Sequence, residues 1–126
     1  MESIENALCA KSHEYLLENA DKTYSIGITD YAIEQLGDIV YLELPEIGQD
    51  FAKGTSFSTV ESVKAASEIY MPISGKIVAI NNDLVDSPEK LNEDNFNSNW
   101  LIKIEATDAS EKNGLLSYAD YLAELD

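Results

Sequence analysis

The chain has 126 residues, with 24 acidic against 8 basic side chains and a formal net charge of −16. The electrostatic field of this negative charge repels phosphate backbones and anionic lipid, so the composition argues against binding to nucleic acids and membranes. It favours a monomer that is attracted to basic partner surfaces. The single cysteine, Cys9, excludes an intrachain disulfide, and the first dozen residues do not resemble a signal sequence. We therefore expect the protein to be cytoplasmic.

The N-terminal half predicts two strands joined by a short helix. After a polar segment at residues 1–22, the stretch 24–28 has the apolar pattern of a strand. Thr29 is a good N-cap and Gly37 a good C′ residue, so a helix of about two turns follows. Residues 39–44 predict the next strand, which a proline ends.

The middle of the chain predicts a hairpin with Lys64 at its tip. Phe57 and Val60 lie in the strand before it, and apolar and polar residues alternate over 69–73 after it. The connection contains no Gly, Pro or Asn, the usual turn residues. A lysine at the tip of a tight hairpin is exposed and can accept covalent acylation. The alternative is an ordinary solvated lysine.

The C-terminal half predicts two more strands and an amphipathic helix. Residues 76–80 and 100–104 have strand patterns. A turn is expected at 81–83, and Ser87 followed by Pro88 indicates a short helical turn. Apolar residues then recur at helical spacing, at Leu115, Tyr118, Ala119, Leu122 and Leu125.

A weak internal repeat supports a small two-sheet sandwich or flattened barrel. Gly37–Val40 recurs as Gly75–Val78, each time opening a strand, and we expect a pseudo-twofold axis to relate the two. The expected core residues are Val40, Leu42, Ile69, Met71, Ile77 and Ile102. The C-terminal helix should pack on the barrel edge through Leu115, Leu122 and Leu125.

The residues offer no catalytic or metal-binding constellation. Cys9 and His13 lie close together but have no third member and no oxyanion hole. One histidine and one cysteine exclude a zinc site. The acidic, Asn-rich loop at 92–99 lacks the alternating ligands and the glycine of a calcium loop. The composition therefore predicts a protein that is not an enzyme.

Seven blocks of sequence occur in an order and at a spacing typical of one family. They are Ser12–Glu14, Gly27–Ala32, Gln35–Val40, Glu43–Pro45 with Gly48, Glu61–Ala65, Pro72–Gly75 and Trp100–Ile104. With them the chain resembles the glycine cleavage system H proteins, which are lipoyl carriers. Tyr15 stands where the family usually has Trp, and Glu68 where Asp is common. Both keep the chemical character, and Cys9 has no assigned family role.

The resemblance implies a mainly β barrel-sandwich hybrid, the flattened barrel of lipoyl and biotinyl carriers, with short helices and a C-terminal helix. It implies one lipoyl-carrier domain over residues 1–126, with a core at about 22–104 and the helix at about 114–125. Lipoate is implied in amide linkage to Lys64. The candidates for the attachment motif and the arm cleft are Glu61, Ser62, Val63, Ala65, Glu14, Ser67 and Glu68.

The implied function is that of a non-catalytic shuttle. A pyridoxal-phosphate glycine decarboxylase loads an aminomethyl group onto the lipoyl sulfur, and an aminomethyltransferase passes its methylene to tetrahydrofolate and releases ammonia. An FAD-dependent dihydrolipoyl dehydrogenase reoxidises the dithiol, and a lipoate ligase or octanoyl transferase attaches the arm. The resemblance makes Glu14 the counter-ion of the loaded ammonium, with Ser67 as a second acceptor and Glu68 as a backup.

The residues beside Lys64 differ from those of other carriers with a modified lysine. A lipoyl domain of a 2-oxoacid dehydrogenase would have Asp immediately before its lysine, where this chain has Val63. A biotin carrier would have Met on both sides, at the positions of Val63 and Ala65. An H-like protein that relays octanoyl or lipoyl groups to such lipoyl domains, or a binding scaffold, stays an open alternative because a relay needs the same lysine.

Overall fold

The computed structural model describes residues 7–93 and 99–125, in which the chain is mainly β, as predicted. Most of the loop expected at 92–99 lies outside these ranges. The strands are β1 Leu8–Cys9, β2 Glu14–Glu18, β3 Tyr24–Ile28, β4 Ile39–Glu43, β5 Asp50–Phe51, β6 Ser56–Ser62, β7 Ala66–Tyr70, β8 Gly75–Ile80, β9 Ile102–Ala106 and β10 Leu116–Ser117. The helices are α1 Asp30–Leu36, α2 Asn82–Asp86 and α3 Tyr118–Leu125, with 3₁₀ segments at Pro88–Asn92 and Ala109–Gly114.

The strands form two antiparallel sheets with the core between them. The larger sheet has the order β10-β1-β2-β3-β9-β8-β5, and the smaller has the order β4-β6-β7. Apolar side chains of both sheets share one buried cluster, which includes Ile26, Ile77 and Ile102 from the larger sheet and Leu42 and Val60 from the smaller. Because each sheet has one apolar face, this packing removes both faces from water.

Five of the six expected core residues are buried, and Val40 is wrong. Ile39 is 2% exposed and Leu42 1% exposed, whereas Val40 is 56% exposed. A β-bulge between Ile39 and Tyr41 shifts the register against β6, so strict alternation along β4 fails there. The bulge turns Val40 toward solvent, which the apolar pattern of one strand could not reveal.

The C-terminal helix packs through a different residue than expected. It begins at Tyr118 rather than near residue 114, because 109–114 is a 3₁₀ segment and β10 pairs with β1. Tyr121 is its buried residue, whereas Leu122 is 42% exposed, so the expectation for Leu122 is wrong. Leu125 is partly buried against a second cluster, formed by Ala7, Cys9, Tyr15, Leu17 and Tyr121. Leu115 precedes the helix and packs on the main core.

Three local expectations also differ from the structure. The turn expected at 81–83 is the start of α2, which Leu84 anchors in the core at 1% exposure. The strand expected at 100–104 runs from Ile102 to Ala106, and β10 follows it. The polar N-terminal segment contains β2, four of whose five residues are buried. The pseudo-twofold relation of the two glycine-led strands stays a prediction.

Within the described part of the chain, no helix is long and apolar enough to cross a membrane.

Candidate functional site

The three-residue turn between β6 and β7 is organised by the side chain of Ser62. Its backbone N–H donates to the carbonyl of Ala65 at 2.8 Å, and its hydroxyl accepts from the backbone N–H groups of Lys64 and Ala65, both at 3.2 Å. A serine can replace the usual turn residues in this way because its hydroxyl satisfies backbone donors locally. The N–H of Val63 donates to the carbonyl of Asp38 at 3.0 Å, which fastens the turn to the chain before β4.

Lys64 is exposed at the tip of this hairpin, as predicted, and its stem lies over Gly37. The Lys64 Cε is 3.1 Å from where a Cβ on Gly37 would stand. Gly37 has φ +82° and ends α1 with its N–H donating to the carbonyl of Ile33 at 3.0 Å. The positive φ favours glycine here, whereas a Cβ would ask only for a small shift of the flexible Lys64 side chain. The Lys64 ammonium forms no ion pair with any residue that the structure describes.

A cleft of about 300 Å³ opens beside the turn, between α1, the segment before β2 and the edge strand β7. Its lining combines apolar and polar side chains. They belong to Ser12, His13, Ile28, Tyr31, Ala32, Gln35, Leu36, Ser67, Glu68 and Ile69. Gln35 and Leu36 directly precede Gly37, over which the Lys64 stem passes, and Ser67 follows shortly after Lys64. One end of the cleft therefore adjoins the lysine.

The candidate residues fall into three positions. Glu61, Ser62, Val63 and Ala65 lie at or beside the turn, and Ser67 and Glu68 line the cleft, whereas Glu14 follows the lining residue His13 but does not line the cleft itself. Glu14 is 1% exposed, and its carboxylate accepts hydrogen bonds from the Ser12 hydroxyl and, at 3.1 Å, from the backbone N–H of Tyr70. Glu14 thus ties β2 to the free edge of β7 and reaches the cleft through Ser12.

Burial raises the pKa of Glu14, and the hydrogen bonds from Ser12 and Tyr70 partly oppose that rise. A carboxylate removed from water is costly unless a cation or further donors compensate it. Glu14 is therefore a buried acid whose ionisation would be favoured by a positive charge arriving in the cleft.

A hydrogen-bonded chain that the sequence did not suggest fixes the wall of the cleft. His13, with φ 76°, lines the cleft, and its Nδ1 lies 2.7 Å from the Tyr121 hydroxyl. That hydroxyl lies 2.8 Å from the Thr29 hydroxyl, which accepts from the N–H of Ala32 at 3.2 Å and caps α1. Every group is satisfied if Thr29 donates to Tyr121 and Tyr121 donates to His13. Tyr121 was missed because its partners are remote in sequence.

Among the described residues, the cysteine is not activated and no metal-ligand cluster is present. Cys9 is fully buried, and burial, followed by the charge of Asp30, raises its pKa to about 12. A thiol with so little thiolate is a poor nucleophile. Residues 7–93 and 99–125 contain no cluster of His, Cys, Asp and Glu arranged to hold a metal ion.

Comparison with known proteins gives one consistent family. A family model described as "Glycine cleavage H-protein" matches residues 8–126. The glycine cleavage system H protein of Vibrio atlanticus is 49% identical over 117 residues, covering 93% of each chain. That of Sodalis glossinidius is 52% identical over 115 residues, covering 91% of this chain and 88% of the relative. The crystal structure of the H protein from Mycobacterium marinum superposes with a TM-score of 0.86 at 31% identity, covering 96% and 97% of the two chains.

Proposed function

The chain belongs to the glycine cleavage H-protein family, and from this premise we propose that it is a carrier with lipoate in amide linkage to Lys64. The observation that carries the proposal is the exposed lysine at the tip of a hairpin, beside a cleft that could receive the end of an arm. A tethered substrate has a high effective concentration at each enzyme that the carrier visits, which explains why the carrier needs no catalytic group of its own.

The bound lipoyl group would supply a disulfide able to carry the aminomethyl group from glycine decarboxylase to aminomethyltransferase, with tetrahydrofolate as the methylene acceptor and dihydrolipoyl dehydrogenase as the oxidant of the dithiol left behind. The chain's own residues would present the arm and shelter its end. Ile28, Leu36 and Ile69 would contact the apolar part of the arm, and Ser67 and Glu68 offer oxygen acceptors to an ammonium. The cleft volume of about 300 Å³ is large enough for the end of the arm with a small group attached.

Glu14 is the proposed counter-ion of the loaded ammonium. Its raised pKa disfavours the carboxylate in the unloaded carrier, whereas a nearby ammonium favours the carboxylate. Loading and ionisation of Glu14 would then support one another. The carrier would release ammonia slowly because the charged end is paired in a partly dry cleft.

Replacing Lys64 tests the attachment site. Peptide mapping of protein from lipoate-replete cells should find lipoate on Lys64 alone. Lys64→Arg should fold normally, stay unmodified and lose all activity in a reconstituted glycine cleavage assay, because arginine cannot accept this amide. Lys76→Arg, at another exposed lysine, is the matched control and should behave like wild type. Biotin at Lys64, or no modification there, would refute the proposal.

Replacing Glu14 by Gln tests the counter-ion. Gln can still accept from the Tyr70 N–H and bond to Ser12, but it cannot ionise. Lipoylation should be unchanged, and spontaneous ammonia release from the loaded carrier should accelerate about tenfold, the effect of losing one charge-assisted contact. Glu105→Gln, at an exposed position on β9, is the control. Equal release from both loaded variants, with loading confirmed by mass, removes Glu14 from the mechanism.

A further inference from the structure

The side chain of Asn92 brackets the backbone just before β4. Its Nδ2 donates to the carbonyl of Gly37 at 2.8 Å, and its Oδ1 accepts from the N–H of Ile39 at 2.9 Å. A donor on one atom and an acceptor on the other fix the orientation of the amide, so both bonds form together. Asn92 thus pairs with residues 37–39 as a neighbouring strand would.

The segment 37–39, to which Asn92 is hydrogen-bonded, also supports the Lys64 turn. Asp38 lies between Gly37 and Ile39, the two residues that Asn92 binds, and its carbonyl has a different partner. That carbonyl accepts the N–H of Val63 at 3.0 Å, and the stem of Lys64 passes over Gly37. Asn92 therefore holds both neighbours of Asp38, the residue to which the Lys64 turn is tied.

We propose that Asn92 is a positioning residue that holds the Lys64 turn in the conformation recognised by the enzyme that acylates it. This inference rests on the proposed acylation of Lys64. Asp38 is exposed and lies outside regular β4, so the segment depends on side-chain support for its position. Without Asn92 the turn samples other conformations, and the enzyme binds only the competent fraction. Its apparent affinity falls by that fraction while the chemical step is unchanged.

The test is acylation of the purified, unmodified chain by a lipoate–protein ligase with ATP and lipoate. Initial rates, read from intact mass over a range of chain concentrations, separate kcat from KM. Asn92→Ala should raise KM by up to about thirtyfold, the effect of losing two net hydrogen bonds, and leave kcat unchanged. Amide hydrogen exchange at Val63 should accelerate by a similar factor, while the N–H of Ser62, bonded within the hairpin, should keep its protection.

Asn19→Ala is the matched control, because Asn19 also bonds to neighbours in a turn, at Thr23 and Ser25, but belongs to the β2–β3 connection. It should change neither KM nor the exchange of Val63. If Asn92→Ala unfolds, Asn92→Asp keeps the acceptor for Ile39 but loses the donor to Gly37, and the same readouts apply.

The outcomes separate this inference from the function on which it rests. A wild-type chain that the ligase does not acylate at Lys64 refutes the carrier proposal, and the role of Asn92 falls with it. If wild type is acylated but Asn92→Ala matches Asn19→Ala in KM, the role of Asn92 alone is overturned, even where Val63 exchanges faster. A raised KM with faster exchange at Val63 supports it.

Discussion

Tyr121→Phe should destabilise the protein by loosening the cleft wall from the C-terminal helix. The substitution keeps the ring, which packs in the second apolar cluster, and removes only the hydroxyl. That hydroxyl lies 2.7 Å from His13 Nδ1 and 2.8 Å from the Thr29 hydroxyl. Both partners belong to the cleft or to the cap of α1, so the change acts on the proposed site as well as on stability.

The magnitude follows from the two contacts. A net intramolecular hydrogen bond contributes about 1 kcal/mol, so losing two lowers the free energy of unfolding by about 2 kcal/mol. This figure is a lower bound for Thr29, which is 0% exposed and loses the acceptor of its own hydroxyl proton, whereas half-buried His13 can reach water. For a domain of this size, that difference lowers Tm by roughly 6–10 °C.

Denaturant unfolding of Tyr121→Phe and Tyr41→Phe measures the effect. Tyr41 is the control because it is 45% exposed on β4. Tyr41→Phe should therefore cost less than about 0.5 kcal/mol. Equal losses in the two variants would show that the His13–Tyr121–Thr29 chain does not stabilise the fold, and the reasoning about the cleft wall would fail.

Two further predictions concern the core and the buried acid. Ile102→Ala should lower the free energy of unfolding by about 2–4 kcal/mol, because Ile102 is 0% exposed, whereas Val40→Ala should cost less than about 0.5 kcal/mol. Similar losses in urea titrations of both would contradict the bulge in β4. Because the folded-state pKa of Glu14 is raised, its contribution to stability is fully present below the ordinary value of 4.5 and is lost as pH rises through the raised value. Stability measured as a function of pH should therefore favour Glu14→Gln increasingly over wild type across that window, and a constant difference would contradict the raised pKa.

The features that the sequence predicted correctly depend on residues close together in the chain. Thr29 and Gly37 delimit α1 because a cap acts within one helical turn. The helical turn opened by Ser87 and Pro88 appears as the 3₁₀ segment Pro88–Asn92, for the same local reason. The exposure of Lys64 likewise follows from its hairpin.

The features that it missed depend on partners remote in the chain. Val40 faces outward because the pairing of β4 with β6 contains a bulge, which the β4 sequence alone does not encode. The resemblance pointed to Glu14, but its burial could not be predicted from neighbouring residues because it depends on the Tyr70 N–H at the edge of β7. Leu122 has the spacing of an apolar helix face, but it is 42% exposed. The helix is oriented with Tyr121 buried instead, where the Tyr121 hydroxyl contacts His13.

Helix α1 shows why the lysine could be predicted from the sequence and the cleft could not. It has seven residues, none of them fully buried, so it is too short to be stable alone. Tyr121 holds its N-terminal cap, and Asn92 holds the glycine that ends it. One wall of the cleft therefore depends on two side chains from later in the chain. Because the two ties act at opposite ends, loss of Tyr121 should affect shelter of the cargo, whereas loss of Asn92 should affect acylation of Lys64.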